Sequence, residues 1–170
     1  MDGEILISYA TTYGSTYEVA EKMAEFIRST GREVTVEKAK KVKSITGYTL
    51  IILGAPLYMF HWSSDAHQFL NRFQKEISQV KIAIFALGPF HNKEDELKEA
   101  VSELDKELAK HPDVHPVSIK MFPGKFDPAA LKFPYSLIGP LKSMPPSDER
   151  DWNAIDLWVQ SLLQPEEVKA

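Results

Sequence analysis

The amino-acid sequence predicts an α/β fold in which a five-stranded parallel sheet is covered by helices on both faces. Three observations carry this expectation. Five short apolar runs rich in β-branched and aromatic residues recur along the chain, and most segments between them repeat apolar residues every three or four positions. The inner runs are also continuously apolar, as strands buried on both faces must be. Strands alternating with helix-length segments imply right-handed crossovers and therefore parallel neighbours.

Taken in order, the first strand is Ile5–Ala10, followed by a helix whose apolar stripe is Val19, Met23, Phe26 and Ile27. Val34–Glu37 is the second strand. The stretch from Glu37 to Tyr48 carries lysines at 38, 40, 41 and 43, which makes it too polar for a core-facing helix; it reads as a connection with a short helix at most. Leu50–Leu53 is the third strand, and Ser63-Ser64-Asp65 is a helix start leading to Phe69, Leu70 and Phe73. Ile82–Leu87 is the fourth strand. Leu97, Val101, Leu104 and Leu108 mark a third helix, Val114–Met121 is the fifth strand, and Trp152, Ile155, Trp158, Val159 and Leu162 mark a closing helix. Between them, Phe122 to Pro146 is long, proline-punctuated and apolar. Loops of this length are usually functional or carry structure of their own. Two readings stand for it: an excursion that packs its aromatics on the domain, or a patch facing a partner or membrane.

A length of 170 residues with 44% hydrophobic residues fits one domain spanning 1–170. The 20 Lys+Arg and 24 Asp+Glu give a formal net charge of -4, with both signs scattered, so nothing calls for a nucleic-acid partner. Cysteine is absent, which excludes disulfides, thiolate metal sites, Fe–S clusters and cysteine nucleophiles and fits a reducing cytoplasm. The acidic start Met1-Asp2-Gly3-Glu4 lacks the basic flank of a secretory signal, and no run reaches the ~18 apolar residues of a membrane span. A cytoplasmic location is expected, with peripheral membrane contact left open.

In an open parallel sheet, ligands bind beyond the carboxyl ends of the strands, so the residues directly after each run are the informative ones. The first run leads into Thr11-Thr12-Tyr13-Gly14-Ser15-Thr16 and then a helix. Unpaired N–H groups at a helix start, together with four hydroxyls, suit a phosphate dianion without any basic side chain; ordinary helix capping is the alternative. Glu18 and the missing Gly-Lys-Ser/Thr ending argue against a nucleotide-hydrolysing loop. After the third strand, Gly54, Ala55, Pro56, Leu57, Tyr58, Met59, Phe60, His61 and Trp62 put small residues before a cluster of aromatics. That order suits a flat conjugated ring, with Tyr58, Phe60 or Trp62 to stack on it, although the same aromatics equally suit core packing. After the fourth strand, Leu87, Gly88, Pro89, Phe90 and His91 form a rigid turn able to bring backbone groups to a ring edge. His61 and His91 are read as surface histidines rather than proton carriers. The five histidines are dispersed, and His111 and His115 adjoin Pro112 and Pro116, so no metal site is expected.

The run Thr11–Thr16 after an apolar strand resembles the phosphate-binding loop of the flavodoxin family, with Tyr13 departing from its Thr/Ser-x-Thr-Gly-x-Thr pattern. The resemblance implies a flavodoxin-like three-layer sandwich with strand order 2-1-3-4-5 and non-covalent binding of FMN. It also implies cofactor contacts from Thr11–Thr16, from Ala55–Phe60 and Trp62, and from Leu87–His91, though the Asp-x-Tyr element common in the last loop is missing. Flavodoxins often have a glycine near the position of Phe60, where a peptide flips as the flavin is reduced. A side chain there penalises positive φ, so one-electron reduction is expected to be less favoured than in a typical flavodoxin.

Phe122-Pro123-Gly124-Lys125-Phe126-Asp127 and Ser147-Asp148-Glu149-Arg150-Asp151-Trp152 are similar to the branch that includes menaquinone-dependent protoporphyrinogen oxidases. That branch implies a quinone-linked flavoenzyme, with Leu131–Leu141, Lys132 and Lys142 as an apolar docking surface. A carrier exchanging electrons with redox partner proteins is favoured over it, because no strongly basic insertion is present. A phosphoacceptor receiver is the third class, and Thr11 and Gly54 stand where its carboxylates would be needed. Nothing in the sequence fixes the oligomeric state.

Overall fold

The computed structural model describes residues 3–164. The acidic start at Met1 and Asp2 therefore lies outside the described residues. In chain order the elements are β1 (Glu4–Tyr9), α1 (Ser15–Ser29), β2 (Val34–Lys38), β3 (Tyr48–Tyr58), β4 (His61–Trp62), α2 (Ser64–Arg72), α3 (Gln74–Ile77), β5 (Lys81–Leu87), α4 (Glu94–Leu108), β6 (Ser118–Phe122), β7 (Lys125–Phe126), α5 (Gly139–Ser143), β8 (Ser147–Asp148) and α6 (Trp152–Leu163). Two short 3-10 turns, Pro128–Ala130 and Tyr135–Leu137, lie between β7 and α5.

The main sheet has the parallel order β2-β1-β3-β5-β6, which is the expected 2-1-3-4-5 once the small hairpin strand β4 is set aside. Each face buries its own apolar cluster. Ile5, Ile7, Ile52 and Phe85 point to one side and meet Val19, Ala20, Met23 and Ile27 of α1 with Ile155, Trp158 and Val159 of α6. Leu6, Ile51, Leu53, Ile82 and Ile84 point to the other and meet Phe69 and Leu70 of α2, Ile77 of α3 and Leu104 of α4. Alternation along each strand supplies both clusters from one run, which is why the runs read as continuously apolar. The buried residues of α1 recur at three- and four-residue spacing, and each large one contributes about 1.5–3 kcal/mol on leaving water. The indole of Trp158 donates to Ser118 Oγ at 2.8 Å and fixes α6 on the edge strand β6.

Two expectations are corrected. The third strand runs on from Leu53 to Tyr58, because Gly54, Ala55 and Pro56 continue the register against Phe85, Ala86 and Leu87 of β5. Gly54 is required there, since a Cβ would collide with the Phe85 ring. Ala55–Tyr58 are thus strand rather than loop. The last strand starts at Ser118, not Val114: Val114 N–H closes a turn on the His111 carbonyl, Pro116 has no N–H to give, and pairing begins only where Val117 N–H reaches Ile82 O at 2.8 Å. The lysine-rich 39–47 segment is a connection, as expected, with turns at 39–41 and 46–47 and no helix, and it faces the core. Ala39, Val42 and Ile45 are buried between exposed lysines, and Arg72 of α2 donates to the carbonyls of Val42 (2.7 Å) and Ala39 (3.2 Å) that a helix would have satisfied.

Candidate functional site at the strand ends

The carboxyl ends of β1, β3 and β5 open on the same edge. Beyond β1 the chain turns at Gly14, whose φ of 93° is a left-handed conformation natural to glycine, and α1 begins at Ser15. The turn is tied by Gly14 N–H to Thr11 Oγ1 at 2.9 Å. No side chain caps α1, so the N–H groups of its first turn face outward with the positive end of the helix dipole. The Thr16 side chain is buried and its Oγ1 has no hydrogen-bond partner; the same holds for the hydroxyls of Tyr13 and Tyr58. Buried hydroxyls are rarely left unpaired, and three around one opening mark a place shaped for a polar ligand.

That opening is a hollow of about 220 Å³ lined by Thr11, Thr12, Tyr13, Ser15, Thr16, Pro56, Tyr58, His61 and Tyr135. A second hollow of about 100 Å³ shares Tyr13, Ser15, Pro56 and Tyr58 with it and extends past Leu57, Leu87, Gly88 and Phe90 to Phe126, Asp127 and Leu131. Aromatic rings step along this boundary. Tyr58 lies 4.9 Å from Tyr135, 6.3 Å from Tyr13 and 6.2 Å from Phe90, and Phe90 lies 4.5 Å from Phe126, centroid to centroid. Burial first, then the neighbouring Tyr13 and Tyr135, pushes the Tyr58 hydroxyl above its ordinary pKa, so it stays a neutral donor at physiological pH. A larger hollow of about 620 Å³ is an open groove outside α1, where Glu18, Glu21 and Glu25 make a poor setting for an anion.

The residues singled out in the sequence fall into two groups. Thr11, Thr12, Tyr13, Ser15, Thr16, Pro56, Leu57, Tyr58, Leu87, Gly88 and Phe90 line the joined hollows, with Gly14 supplying the turn. Ala55 and Trp62 are buried in the cluster against α2 and α4 instead, and the indole of Trp62 packs edge-on against His67. Trp62 is therefore no stacking partner for a ring in these hollows. Pro89 contributes its carbonyl to Gly124 N–H at 2.8 Å, and His91 lies exposed beside Glu96. Met59 and Phe60 project into solvent at the tip.

Tyr58 and His61 close the β3–β4 hairpin around Met59 and Phe60, whose φ values are 49° and 66°. Positive φ at both central residues is the type I′ turn that Asn-Gly normally supplies, and bulky residues there cost about 1–2 kcal/mol each. The side chain at Phe60 does not keep that backbone from positive φ; the turn adopts it.

Lys132 and Arg150 also reach the site, a role that no local pattern in the sequence marks. Lys132 donates to the Thr12 carbonyl at 3.2 Å and lies 6.0 Å over the Tyr13 ring, so the 122–146 segment forms a wall of the site. Arg150 is buried beneath the start of α1, bonded to Glu18 (2.6 Å), to Asp148 (2.6 and 2.8 Å) and, at 3.4 Å, to Ser15 O. It neutralises the one carboxylate closest in sequence to the turn. Burial disfavours its charge, but Asp148 and Glu18 outweigh this and raise its pKa. Among the described residues no group of three His, Asp or Glu side chains is arranged to hold a metal ion.

A family model described as Flavodoxin domain matches residues 6–135. Among solved structures, oxidised Flavodoxin 2 from Bacillus cereus is similar at 22% identity and a TM-score of 0.50, covering 69% of this chain and 83% of that one. A flavodoxin from Streptococcus pneumoniae TIGR4 is similar at 14% identity and a TM-score of 0.54 over 94% of this chain and 97% of its own. Two-electron reduced flavodoxin from Megasphaera elsdenii aligns at 13% identity and a TM-score of 0.51, covering 69% and 84%. No curated protein matches the sequence. Identities this low show the fold, and the family model shows the membership: this chain belongs to the flavodoxin domain family.

Proposed function

We propose that this protein binds FMN without a covalent link and carries electrons between redox partners. The observation that supports this most is the mouth of α1, where an uncapped helix start and the unpaired hydroxyls of Thr16, Tyr13 and Tyr58 surround a hollow walled by tyrosine rings. Those groups match a ligand with an anion at one end and a flat polar ring at the other. When bound, FMN supplies the one- and two-electron redox chemistry. Thr11, Thr12, Ser15 and Thr16 would hold its phosphate, while Arg150 holds Glu18 in an ion pair beside it. Tyr13, Pro56, Leu57, Tyr58, Leu87, Gly88 and Phe90 would enclose the ring and exclude water. Redox proteins are the partners this reading takes, in the cytoplasm, where a chain without cysteine fits. The direct test is a visible absorption spectrum of the purified protein before and after addition of FMN and removal of the excess. Flavin bands that stay with the protein are expected; a colourless protein that retains none refutes the reading.

One observation favours a second reading, a quinone-linked flavoenzyme of the protoporphyrinogen oxidase type. Phe133 and Leu137 are 78% and 71% exposed, Lys132 and Lys142 flank them, and no carboxylate occurs between Asp127 and Asp148. An enzyme that meets its acceptor at a membrane needs such an apolar, carboxylate-free surface flanked by lysines. Reduction of a menaquinone analogue by the FMN-loaded protein with protoporphyrinogen as donor supports this reading; transfer to protein acceptors alone supports the carrier.

A further inference from the structure

Beneath the β3–β4 hairpin lies a cluster of polar groups that the site does not use. Glu107 of α4 is 6% exposed, yet both its oxygens are engaged. Its Oε2 accepts from the Trp62 backbone N–H at 3.3 Å and bonds His67 Nε2 of α2 at 2.7 Å, and its Oε1 accepts from Lys110 Nζ at 2.6 Å. The ring of His61, which lines the 220 Å³ hollow, lies 4.0 Å from Oε1. His67 Nδ1 in turn bonds His111 Nε2 at 2.7 Å, with the two rings stacked 5.0 Å apart. A lone buried carboxylate opposes burial, and here the bonds from Lys110, His67 and Trp62 outweigh it and keep Glu107 below the ordinary carboxylate pKa.

The placement of this carboxylate has a mechanical consequence. β4 is two residues long, and its turn holds Met59 and Phe60 at positive φ. So short a strand supplies few ladder bonds to hold a strained turn, and strained backbone persists only where its surroundings fix it. On the pocket side Tyr135 packs on Tyr58; on the far side the contact is Glu107, which reaches both residues of β4.

We propose that Glu107 is a positioning residue for the ring-facing hairpin: its carboxylate, oriented by His67 and Lys110 and backed by His111, holds the Trp62 N–H beside the His61 ring and so fixes the Tyr58–Phe60 turn against the cofactor hollow. This rests on the FMN reading for its consequence, but not for its geometry. The charged and titratable groups facing Glu107 are His61 on β4, His67 on α2, and Lys110 and His111 in the turn that follows α4.

The test compares wild type, Glu107→Gln and Glu107→Leu. Proton–nitrogen NMR of the FMN-free proteins reads the Trp62 amide, and FMN is then titrated into each. In wild type the Trp62 amide proton is expected to move with pH together with the His111 ring signals. The Gln variant keeps an acceptor for that N–H, so its affinity for FMN stays within about twofold of wild type, whereas the Leu variant binds about tenfold or more weakly, as loss of a supporting group typically costs. A Trp62 amide that ignores the histidine titration in wild type overturns the proposal even if the Leu variant does not fold. Unchanged FMN affinity in a folded Leu variant overturns it too, as does a Gln variant as weak as Leu. If wild type retains no FMN, the cofactor reading fails separately, and the Trp62 amide alone decides whether Glu107 holds the hairpin.

Discussion

Two segments face the same hollow and are built in opposite ways. In Thr11–Thr16 the left-handed residue is Gly14, so the backbone is relaxed; the unfavourable feature is polar, in the unpaired Thr16 and Tyr13 hydroxyls and the uncapped start of α1. In the hairpin Leu57–Trp62 the left-handed residues are Met59 and Phe60, so the unfavourable feature is the backbone itself, and anchors outside the segment hold it. A binding site departs from optimal stability in either currency, and each leaves its own mutational signature. Relieving unpaired polarity stabilises the fold and weakens the ligand, whereas relieving backbone strain stabilises the fold and loosens the shape of the pocket.

Arg150→Met is expected to have the largest effect. It leaves Glu18 and Asp148 without their buried partner, and because those carboxylates are themselves part-exposed the loss is about 2–3 kcal/mol rather than the full cost of orphaning a buried ion. Urea unfolding measures it, and a change within error would mean that this triad does not support α1. Met59→Asn with Phe60→Gly gives the hairpin the residues its turn geometry favours; with the added unfolded-state freedom of glycine offsetting part of the relief, stability is expected to rise by about 1–2 kcal/mol. A less stable double variant would mean that the turn is not strained. Thr16→Val keeps the shape and removes an unpaired hydroxyl, so stability should hold or rise by about 1 kcal/mol while FMN affinity drops about tenfold. Equal affinity would take Thr16 out of the binding role.

The smallest effect is the response to acid. Burial first, then His67 and Lys110, hold His111 below the ordinary imidazole pKa of 6.5, and the Arg150 hydrogen bonds hold Asp148 below 3.8. Glu107 is held low as well. Each folded-state value lies below its unfolded value, so each group contributes stability that is full above the unfolded pKa and is lost as pH falls through the folded one. Urea midpoints at about pH 8, 5.5 and 3 should fall first through His111 and then further through the two carboxylates. A midpoint that holds steady or rises on acidification contradicts this.

The contrast between the segments also explains what could be read in the sequence. Thr11–Thr16 is local: strand, glycine and helix start follow one another within a few residues, so both its turn and its hydroxyls are visible in order. The parallel sheet was legible for the same reason, through continuous runs such as Ile5–Ala10 and Ile82–Leu87. The hairpin was not, because Met-Phe carries no turn signal, and small apolar residues at 54–56 look like a loop until β5 is known to pair with them. Period-two alternation across that hairpin decides that Tyr58 meets the hollow and Trp62 the core, and a cluster of aromatics does not announce its own register. Lys132 and Arg150 act across separations of 120 and 132 residues, distances at which no spacing rule operates.

Calorimetric titration of the flavin-free protein with FMN and with riboflavin, which shares the ring and lacks the phosphate, separates the phosphate's share of binding from the ring's. If the uncapped start of α1 and the hydroxyls of Thr11–Thr16 hold the phosphate, FMN binds at least about a hundredfold more tightly than riboflavin, a difference of roughly 2.7 kcal/mol. Equal affinities, or no binding of either, would mean that this turn is not an anion site.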